Sequence, residues 1–346
     1  WRHYADPQMA PLGRSLTVAA PQVYVYPTTS HRLTSVAGTA RTYDANGNTT
    51  QSASNKIWTY DARNRVVDFR DGADSKSVLA AYQYNARGER VRKYKGSTTQ
   101  ARYVYNEAGQ LLVEQTISGS TTTTSEIVWL DNLPVGVIRN NILHYIEPDH
   151  LGTPRQVIDR TRDVAVWRWD LLNDPFGESA PNTNPDADGT HFVFNMRFPG
   201  QIHDAESGLN YNYFRDYEPG TGRYVASDPI GLDGGWSSYG YVSSDPLASI
   251  DPKGLEQWCG CSNGTIGPQC CGGDGDGCGR FLPCFSSICY RNAQHGFLTC
   301  MGNCEYLRQH DRGGRVGRMK RYVACVDICT AKFAAELLVC TLCKWD

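Results

Sequence analysis

The chain has 346 residues and a formal net charge of −2, and 40% of its residues are hydrophobic. This length is sufficient for two or more domains with cores of their own. The nearly balanced charge excludes bulk electrostatic attraction as a reason for the chain to bind nucleic acid or a membrane surface.

The first residues contain no basic segment followed by an apolar one, so the sequence predicts no secretory signal peptide. The chain begins at Trp1 rather than at methionine, which indicates a piece of a longer protein. Early residues are rich in Thr, Tyr, Val, Asn and Gly and show few helical patterns, which favours β structure.

Four short phrases of similar sequence recur in the first third of the chain. Each has Tyr, then Asp or Asn, and ends in Gly or Asn, and they occupy residues 43–47, 60–64, 84–88 and 105–109. Asp or Asn followed by Gly or Asn in a left-handed position is typical of a hairpin turn. Alternating runs such as 65–69 and 90–94 follow the phrases and supply one buried face per strand. The pattern predicts a strip of stacked β-hairpins, which is stable only as an array.

Further phrases follow in a fixed order downstream. They are residues 145–155 (YIEPDHLGTPR), Trp169, 173–177 (NDPFG), 197–201 (RFPGQ), 208–211 (GLNY), 222–224 (GRY), 228–232 (DPIGL) and 251–255 (DPKGL). Together with the Tyr-Asp phrases, this series resembles the Rhs (rearrangement hotspot) or YD-repeat family over roughly residues 40–255. One departure is the sequence Trp-Ser-Ser at 236–238, which we interpret as a loop variation.

The resemblance implies a mainly β fold, in which a YD-repeat strip forms part of an Rhs β shell around a C-terminal cargo. Four clear repeats are too few to close such a shell. The implied organisation is a YD-repeat region at 1–125, an Rhs conserved region at 126–195, an Rhs-associated core at 196–255 and a variable tail at 256–346.

The resemblance also implies a function in interbacterial competition, as the C-terminal part of a polymorphic toxin. The expected partners are a cognate immunity protein and a secretion apparatus, such as a type VI spike, that is reached through the missing N-terminal part. The expected location is secreted, or delivered into a target cell.

Two aspartates, Asp228 and Asp251, each begin an Asp-Pro-x-Gly-Leu phrase. Two carboxyls that lie close together repel each other when both are ionised, so one of them tends to keep its proton. The ionised carboxyl can then activate water while the protonated one donates a proton. In Rhs proteins this pair resembles an aspartic protease that cuts its own chain once. Carried over to this sequence, the catalytic pair is Asp228 and Asp251, and the cut falls between Leu255 and Glu256.

The same phrases also have a purely structural interpretation, in which Asp-Pro and Gly make two similar turns. Arg223 either tunes the aspartate pair or has an ordinary surface role. His150 invites a catalytic role, but the sequence offers no nucleophile beside it, and a turn-stabilising role is favoured.

All 13 cysteines lie at or after Cys259, which marks residues 256–346 as a separate module. This density is typical of a disulfide scaffold or a metal cluster. Metal binding predicts paired C-x₂-C motifs, and only residues 340–343 fit, so disulfides explain the spacing better and no metal or cofactor is predicted. A glycine-rich stretch at 272–277 hints at a calcium loop but has too few carboxylates, which favours a flexible loop.

A small α-helical hairpin is predicted for the tail, with helices at about 286–311 and 317–344. Three cysteine pairs have the same sum of residue numbers, 629, as facing positions of an antiparallel hairpin require: Cys289–Cys340, Cys300–Cys329 and Cys304–Cys325. Their spacing places each set on one helix face. The pairing of Cys259, Cys261, Cys270, Cys271, Cys278, Cys284 and Cys343 stays open.

Disulfides persist in oxidising compartments, so the tail is expected to act in, or pass through, a periplasm. Basic residues at the hairpin tip could contact lipid headgroups or nucleic acid: Arg312, Arg315, Arg318 and Arg321. Membrane disruption is the first interpretation of the tail and nuclease activity the second, although no set of enzymatic residues is recognisable in it. A non-enzymatic, carbohydrate-binding YD-repeat surface protein is the remaining alternative.

Overall fold

The computed structural model describes residues 23–52, 56–72, 77–171 and 174–260, together with a short strand at 266–267. The described region is dominated by antiparallel β-sheet, with three short 3₁₀ helices at Pro219–Thr221, Gly231–Gly234 and Val242–Ser244. A small three-stranded sheet comes first, formed by β1 (Tyr24–Val25), β2 (Ser35–Val36) and β3 (Thr39–Ala40).

The main sheet has thirteen strands that lie side by side in sequence order, each antiparallel to the next. The strands are β4 (Thr42–Tyr43), β5 (Thr49–Gln51), β6 (Lys56–Tyr60), β7 (Val66–Asp71), β8 (Val78–Tyr84), β9 (Arg90–Lys95), β10 (Thr98–Tyr105), β11 (Leu111–Ser118), β12 (Thr121–Leu130), β13 (Leu133–Arg139), β14 (Ile142–Pro148), β15 (Pro154–Asp159) and β16 (Val164–Arg168). The predicted strip of hairpins is therefore confirmed, and it extends well beyond the four phrases that the sequence revealed.

Each Tyr-Asp phrase forms the turn between two paired strands. In the second phrase the Asn64 N–H donates to the Asp61 carbonyl over 3.0 Å, and the Asp61 carboxylate accepts from the Arg63 and Arg65 amides. The last residue of every phrase has a positive φ: Gly47 (89°), Asn64 (60°), Gly88 (93°) and Gly109 (88°). Gly and Asn are the residues that adopt this left-handed conformation at least cost.

The tyrosine of each phrase ties one hairpin to the hairpin before it. Tyr84 Oη donates to the Val66 carbonyl over 2.7 Å, and Tyr60 and Tyr105 make the equivalent bonds to the carbonyls of Thr49 and Arg90. Trp129 occupies the corresponding position in the next hairpin, and its Nε1 donates to the carbonyl of residue 111 over 2.8 Å. The repeated tyrosine thus satisfies a neighbouring backbone carbonyl, which explains its spacing.

A second, smaller sheet follows the main one and contains β17 (Ile202–His203), β18 (Asn210–Asn212), β19 (Arg215–Glu218) and β20 (Arg223–Tyr224). Its aromatic residues pack with one face of the main sheet in a continuous core, for example Tyr211 and Tyr217 with Val137, Val157 and Trp167. Residues between 192 and 242 therefore share one hydrophobic core with the repeat sheet.

Buried charges also join the two sheets. Arg90 of β9 forms ion pairs with Asp216 of β19 (2.7 Å) and with Asp204 (3.4 Å), and all three side chains are at most 7% exposed. Lys93 extends this cluster through Glu206 at 2.6 Å. Because unpaired buried charges are costly, this pairing fixes the position of β19 against the repeats.

The last described strands are β21 (Cys259–Gly260) and β22 (Ile266–Gly267). Most of the tail lies outside the described residues, including both predicted helices, the three predicted disulfide pairs and the basic tip. The domain limits at 125, 195 and 255 remain predictions. Within the described ranges, no helix is long and apolar enough to cross a membrane.

Candidate active site

The two Asp-Pro-x-Gly-Leu phrases form similar turns. The Gly231 N–H donates to the Asp228 carbonyl over 3.0 Å, and the Gly254 N–H donates to the Asp251 carbonyl over 3.4 Å. Both glycines have a left-handed conformation, with φ of 66° and 68°. The turn interpretation of these phrases is therefore correct, and it describes how each aspartate is held.

Both aspartate side chains also converge on one arginine. Arg215 Nη1 lies 2.8 Å from Asp228 Oδ2, and Arg215 Nη2 lies 3.3 Å from Asp251 Oδ2. All three side chains are at most 4% exposed. Since each carboxyl binds a different nitrogen of the same guanidinium, its positive charge lies between the two acids and offsets one negative charge.

Arg215 reaches its position because it begins β19, whose next residue, Asp216, is bound by Arg90. Successive side chains of a strand point to opposite faces, so Asp216 faces the repeat sheet while Arg215 faces the aspartates. Arg215 Nε also donates to the Gly254 carbonyl over 2.5 Å. The guanidinium therefore contacts both acids and the backbone just before the predicted cut.

Tyr224 holds the second aspartate and the arginine together. Its phenol donates to Asp251 Oδ2 over 2.8 Å, and its ring lies 3.7 Å from the guanidinium carbon of Arg215. Asn212 Nδ2 donates to the Tyr224 oxygen over 2.7 Å and to the Asp251 carbonyl over 2.9 Å. These buried contacts fix the orientation of Asp251 on several sides.

The predicted cleavage position lies directly beside the pair. The Leu255 N–H donates to Asp251 Oδ1 over 2.9 Å. A methyl group added at Gly234 would lie 2.5 Å from the Leu255 carbonyl oxygen and would also overlap Asp228 Oδ2. The carbonyl of the predicted scissile bond and the Asp228 carboxyl therefore lie against the same glycine, which leaves them room because it has no side chain.

Burial raises the pKa of Asp228 to about 6, although the charge of Arg215 opposes the shift. Burial also raises the pKa of Asp251, and Arg215, the Tyr224 phenol and the Leu255 amide act against it. Asp251 receives donors from all three of these groups, whereas the bonds given for Asp228 within the described residues come from Arg215 and the Ile230 amide. Hydrogen bonds to a carboxylate favour its ionised form, so Asp228 is better suited to keep a proton.

The structure brings together Asp228, Asp251 and Leu255, while exposed Glu256 follows them in the chain. Arg223, considered as a partner of the pair, instead donates to the Tyr26 phenol (2.8 Å) and the His31 carbonyl (2.7 Å). His150 is exposed in a turn closed by an Asp149 carboxylate, which agrees with its structural interpretation.

Sequence reasoning missed Arg215, Asn212 and Gly234. Arg215 follows the Gly-Leu-Asn-Tyr phrase at 208–211 by only a few residues, but nothing in its spacing from either aspartate marks it as their partner. Tyr224 was part of the Gly-Arg-Tyr phrase, yet its role depends on a contact across 27 residues of chain.

In the tail, only the first cysteine falls among residues whose side chains are described. Cys259 is 2% exposed and disulfide-bonded. The cysteines and arginines with predicted roles lie outside the described residues. Over the part of the chain that the structure covers, no group of three or more His, Cys, Asp or Glu side chains is arranged to hold a metal ion.

One protein family resembles this chain over more than half of its length. The Teneurin YD-shell family model matches residues 28–236. The toxin protein Tse5 of Pseudomonas aeruginosa is 29% identical over 263 residues, which is 65% of this chain and 19% of that protein.

Two further relatives carry different names. The double-stranded DNA deaminase toxin A of Burkholderia cenocepacia is 29% identical over 243 residues, 62% of this chain and 16% of that protein. The probable deoxyribonuclease RhsB of Dickeya dadantii is 52% identical over 71 residues, 20% of this chain and 5% of that protein. The chain thus spans less than a fifth of the length of each of these three relatives.

Proposed function

This chain belongs to the Teneurin YD-shell family as an Rhs-type YD-repeat protein, and from that premise we propose that it is part of a polymorphic toxin whose core cuts its own backbone between Leu255 and Glu256. One observation carries the proposal of self-cleavage. The buried carboxyls of Asp228 and Asp251 meet on Arg215, directly beside the backbone of Leu255.

In the proposed reaction Asp228 is protonated and donates a hydrogen bond to the Leu255 carbonyl oxygen, which makes the carbonyl carbon more electrophilic. Ionised Asp251 takes a proton from a water molecule, and the resulting hydroxide adds to that carbon. The C–N bond then breaks as the Glu256 nitrogen accepts a proton from the carboxyl pair. The products are a carboxyl group at Leu255 and an amino group at Glu256, so one water molecule is consumed.

Arg215 would orient the reacting groups rather than transfer a proton. Its bond to the Gly254 carbonyl supports the residue before the cut, and its charge allows Asp251 to remain ionised next to a second acid. Because the reaction cuts the chain that contains the catalytic groups, it runs once.

The proposed role of residues 256–346 is that of the effector. Three relatives whose names indicate a toxin, a DNA deaminase and a deoxyribonuclease support a toxin as the cargo without identifying its activity. We favour membrane disruption from the periplasm, because the predicted disulfides suit that compartment and the basic residues between 312 and 321 suit an anionic surface. A cognate immunity protein and a type VI or similar delivery apparatus are the proposed partners.

Intact mass of the purified chain tests self-cleavage. The parent should give two fragments that end at Leu255 and begin at Glu256, and Asp228→Asn and Asp251→Asn should each give one uncut mass. Asp233→Asn is the matched control, since Asp233 is an exposed acid in the same loop. A parent that stays whole, or variants that are cut like the parent, would contradict the proposal.

Expression of residues 256–346 in bacteria, with and without a periplasmic signal, tests the effector. Growth arrest with loss of membrane potential only in the periplasmic form supports membrane disruption. Arrest with DNA degradation in the cytoplasmic form would favour the nuclease alternative. Normal growth with both forms would count against a toxic tail.

A further inference from the structure

We infer that residues 184–190 form a binding site for a calcium ion. The loop begins beside the last strand of the repeat sheet, where Asn182 pairs with Arg168 of β16 through two backbone hydrogen bonds. It shares no residue with the proposed cleavage site, so the inference does not depend on self-cleavage. The proposed ligands are side-chain oxygens of Asn184, Asp186 and Asp188.

The loop has the residue spacing of a calcium-binding motif. Residues 184–190 read Asn-Pro-Asp-Ala-Asp-Gly-Thr. In an EF-hand loop, Asp or Asn at the first, third and fifth positions supplies side-chain oxygens, and Gly at the sixth position makes a sharp turn. Gly189 occupies that sixth position and has a φ of 84°. The first half of the motif is therefore present, whereas Asn195 stands where an EF-hand has its glutamate at position twelve.

Two of the proposed ligand atoms are buried without a hydrogen-bond donor. Asn184 Oδ1 and Asp186 Oδ1 are both buried, and neither has a hydrogen-bond partner among the residues that the structure describes. The Asp186 side chain as a whole is only 9% exposed. A buried oxygen that accepts no hydrogen bond loses its hydration without compensation, and this loss is most costly for a carboxylate. A cation bound between these two oxygens would provide the missing partner.

The acids of the loop converge on one point. Arg162 Nη1, from the turn between β15 and β16, lies 2.7 Å from Asp186 Oδ2 and 2.9 Å from Asp188 Oδ2. Arg162 Nε lies 2.8 Å from Asp159 Oδ2. Three carboxylates around one guanidinium give this cluster a charge of −2, which a divalent cation would neutralise. Arg162 binds the Oδ2 atom of Asp186 and its side chain is 42% exposed, so this ion pair is weak and leaves Oδ1 for the cation.

The chemistry of the donors favours calcium over other metal ions. All three side chains offer oxygen, which Ca²⁺ and Mg²⁺ prefer and which suits zinc less well than nitrogen or sulfur. Magnesium demands regular octahedral geometry, whereas calcium accepts the irregular geometry of a loop. The set combines two carboxylates with an amide, and so differs from the clusters of three or more His, Cys, Asp or Glu that the described residues lack. Because it has fewer charged ligands than a complete EF-hand, we expect a dissociation constant of about 10⁻⁴–10⁻³ M.

Thermal unfolding of the purified chain tests the inference, first with EDTA and then with calcium chloride added in steps to about 10 mM. Calcium should raise the unfolding midpoint saturably by about 3 °C or more, because an ion that binds only the folded chain stabilises it. Magnesium at the same concentrations should raise the midpoint less. Hydrogen exchange locates the site, since calcium should slow the exchange of backbone amides in residues 184–190.

Three variants connect the effect to the proposed ligands. Asp186→Asn should weaken calcium binding about tenfold or more, because it removes one of two charged ligands. Asp188→Asn is a second test at a side chain that is 34% exposed, where the change disturbs folding less. Asp163→Asn is the matched control, since Asp163 is an exposed acid of the neighbouring turn. This control loses the same charge but no ligand, so it should bind calcium almost as tightly as the parent.

Several outcomes would overturn the inference. A parent chain whose unfolding midpoint does not respond saturably to calcium would rule out the site. An equal shift with magnesium, or an equal loss of affinity in Asp163→Asn and Asp186→Asn, would show that the acidic surface attracts divalent cations only diffusely. Slower exchange confined to residues outside 184–190 would place the calcium ion elsewhere in the chain.

Discussion

The repeat sheet and the region around the aspartates are built on different principles. In the repeat sheet every strand pairs with the next strand in sequence, and the turns of the Tyr-Asp phrases are closed by a side chain that binds an amide four residues further on. Around the aspartates the main contacts join residues that lie 13 to 39 positions apart, such as Arg215 with Asp228 and Arg215 with Gly254.

This difference shows how a sheet of regular repeats can support a site that is built from contacts between distant segments. The repeats satisfy their own backbone groups locally, so one side-chain face remains free to pack against residues 192–242. Arg90 of the repeat sheet binds Asp216, the neighbour of Arg215, and this ion pair fixes the position of Arg215 in the site. Changes in the site should therefore affect cleavage strongly, and changes in one repeat should affect mainly stability.

The largest effect is expected for Arg215→Met. Without the guanidinium the two buried carboxyls lose the cation that they share, so we expect no cleavage and a loss of about 3–5 kcal/mol in the free energy of unfolding. Chemical denaturation at pH 7 and pH 4 measures this, and the loss should be smaller at pH 4, where carboxyls that take up protons no longer need the cation. Arg223→Met, which removes an arginine bound to Tyr26 and His31, should change stability by less than about 1 kcal/mol and leave cleavage intact. Equal effects of the two variants would contradict the central role of Arg215.

A smaller effect on stability, but a large one on cleavage, is expected for Gly234→Ala. The added methyl would collide with the Leu255 carbonyl oxygen and the Asp228 carboxyl, and a displacement of about 1 Å can slow a reaction roughly a hundredfold. The fraction of cut chain on denaturing gels over time measures the rate. Gly189→Ala is a suitable control, because a methyl there meets no atom within 4 Å, although it adds backbone strain at a positive φ. Unchanged cleavage in Gly234→Ala would argue against the proposed approach of Asp228 to Leu255.

An intermediate effect is expected for Tyr224→Phe. Loss of the phenol removes a donor to the Asp251 carboxylate, which should slow cleavage about tenfold and raise the pKa of Asp251. The rise of the cleavage rate with increasing pH should therefore shift to a higher pH. The fall of the rate above about pH 6, where Asp228 loses its proton, should shift less. Dilution of denatured precursor into buffers from pH 4 to pH 8 gives both limbs of the profile.

Tyr217→Phe is the control for that experiment, since the Tyr217 phenol donates to the Phe176 carbonyl in the same aromatic core. It should cost stability without moving the pH profile. A profile that shifts equally in both variants would show that Tyr224 acts only through packing.

The smallest effect is expected in the repeats, for Tyr84→Phe. The ring remains in place, but the Val66 carbonyl loses its donor, so the free energy of unfolding should fall by about 1 kcal/mol. Cleavage should continue at the parent rate. Tyr145→Phe, in which the tyrosine is exposed on β14, provides the comparison that should cost almost nothing. Loss of cleavage in Tyr84→Phe would mean that the repeats and the site are coupled more tightly than their contacts indicate.

The sequence by itself determined the local features of this protein. The Tyr-Asp phrases predicted the hairpins correctly, because a turn that needs Asp or Asn and then a left-handed residue is encoded within five positions. The paired Asp-Pro-x-Gly-Leu phrases also marked the two aspartates and the turns that hold them. Trp129 escaped notice as a member of the repeat, since its indole replaces the phenol as the donor to a neighbouring carbonyl.

Only the tertiary structure decided which groups surround the aspartates. Arg215, Asn212 and Gly234 act through contacts between segments far apart in the chain, and no local pattern distinguishes Arg215 from Arg223. The choice between them depends on strand direction: Asp216 is bound to Arg90 on one face of β19, so Arg215 must lie on the other face, beside both carboxyls.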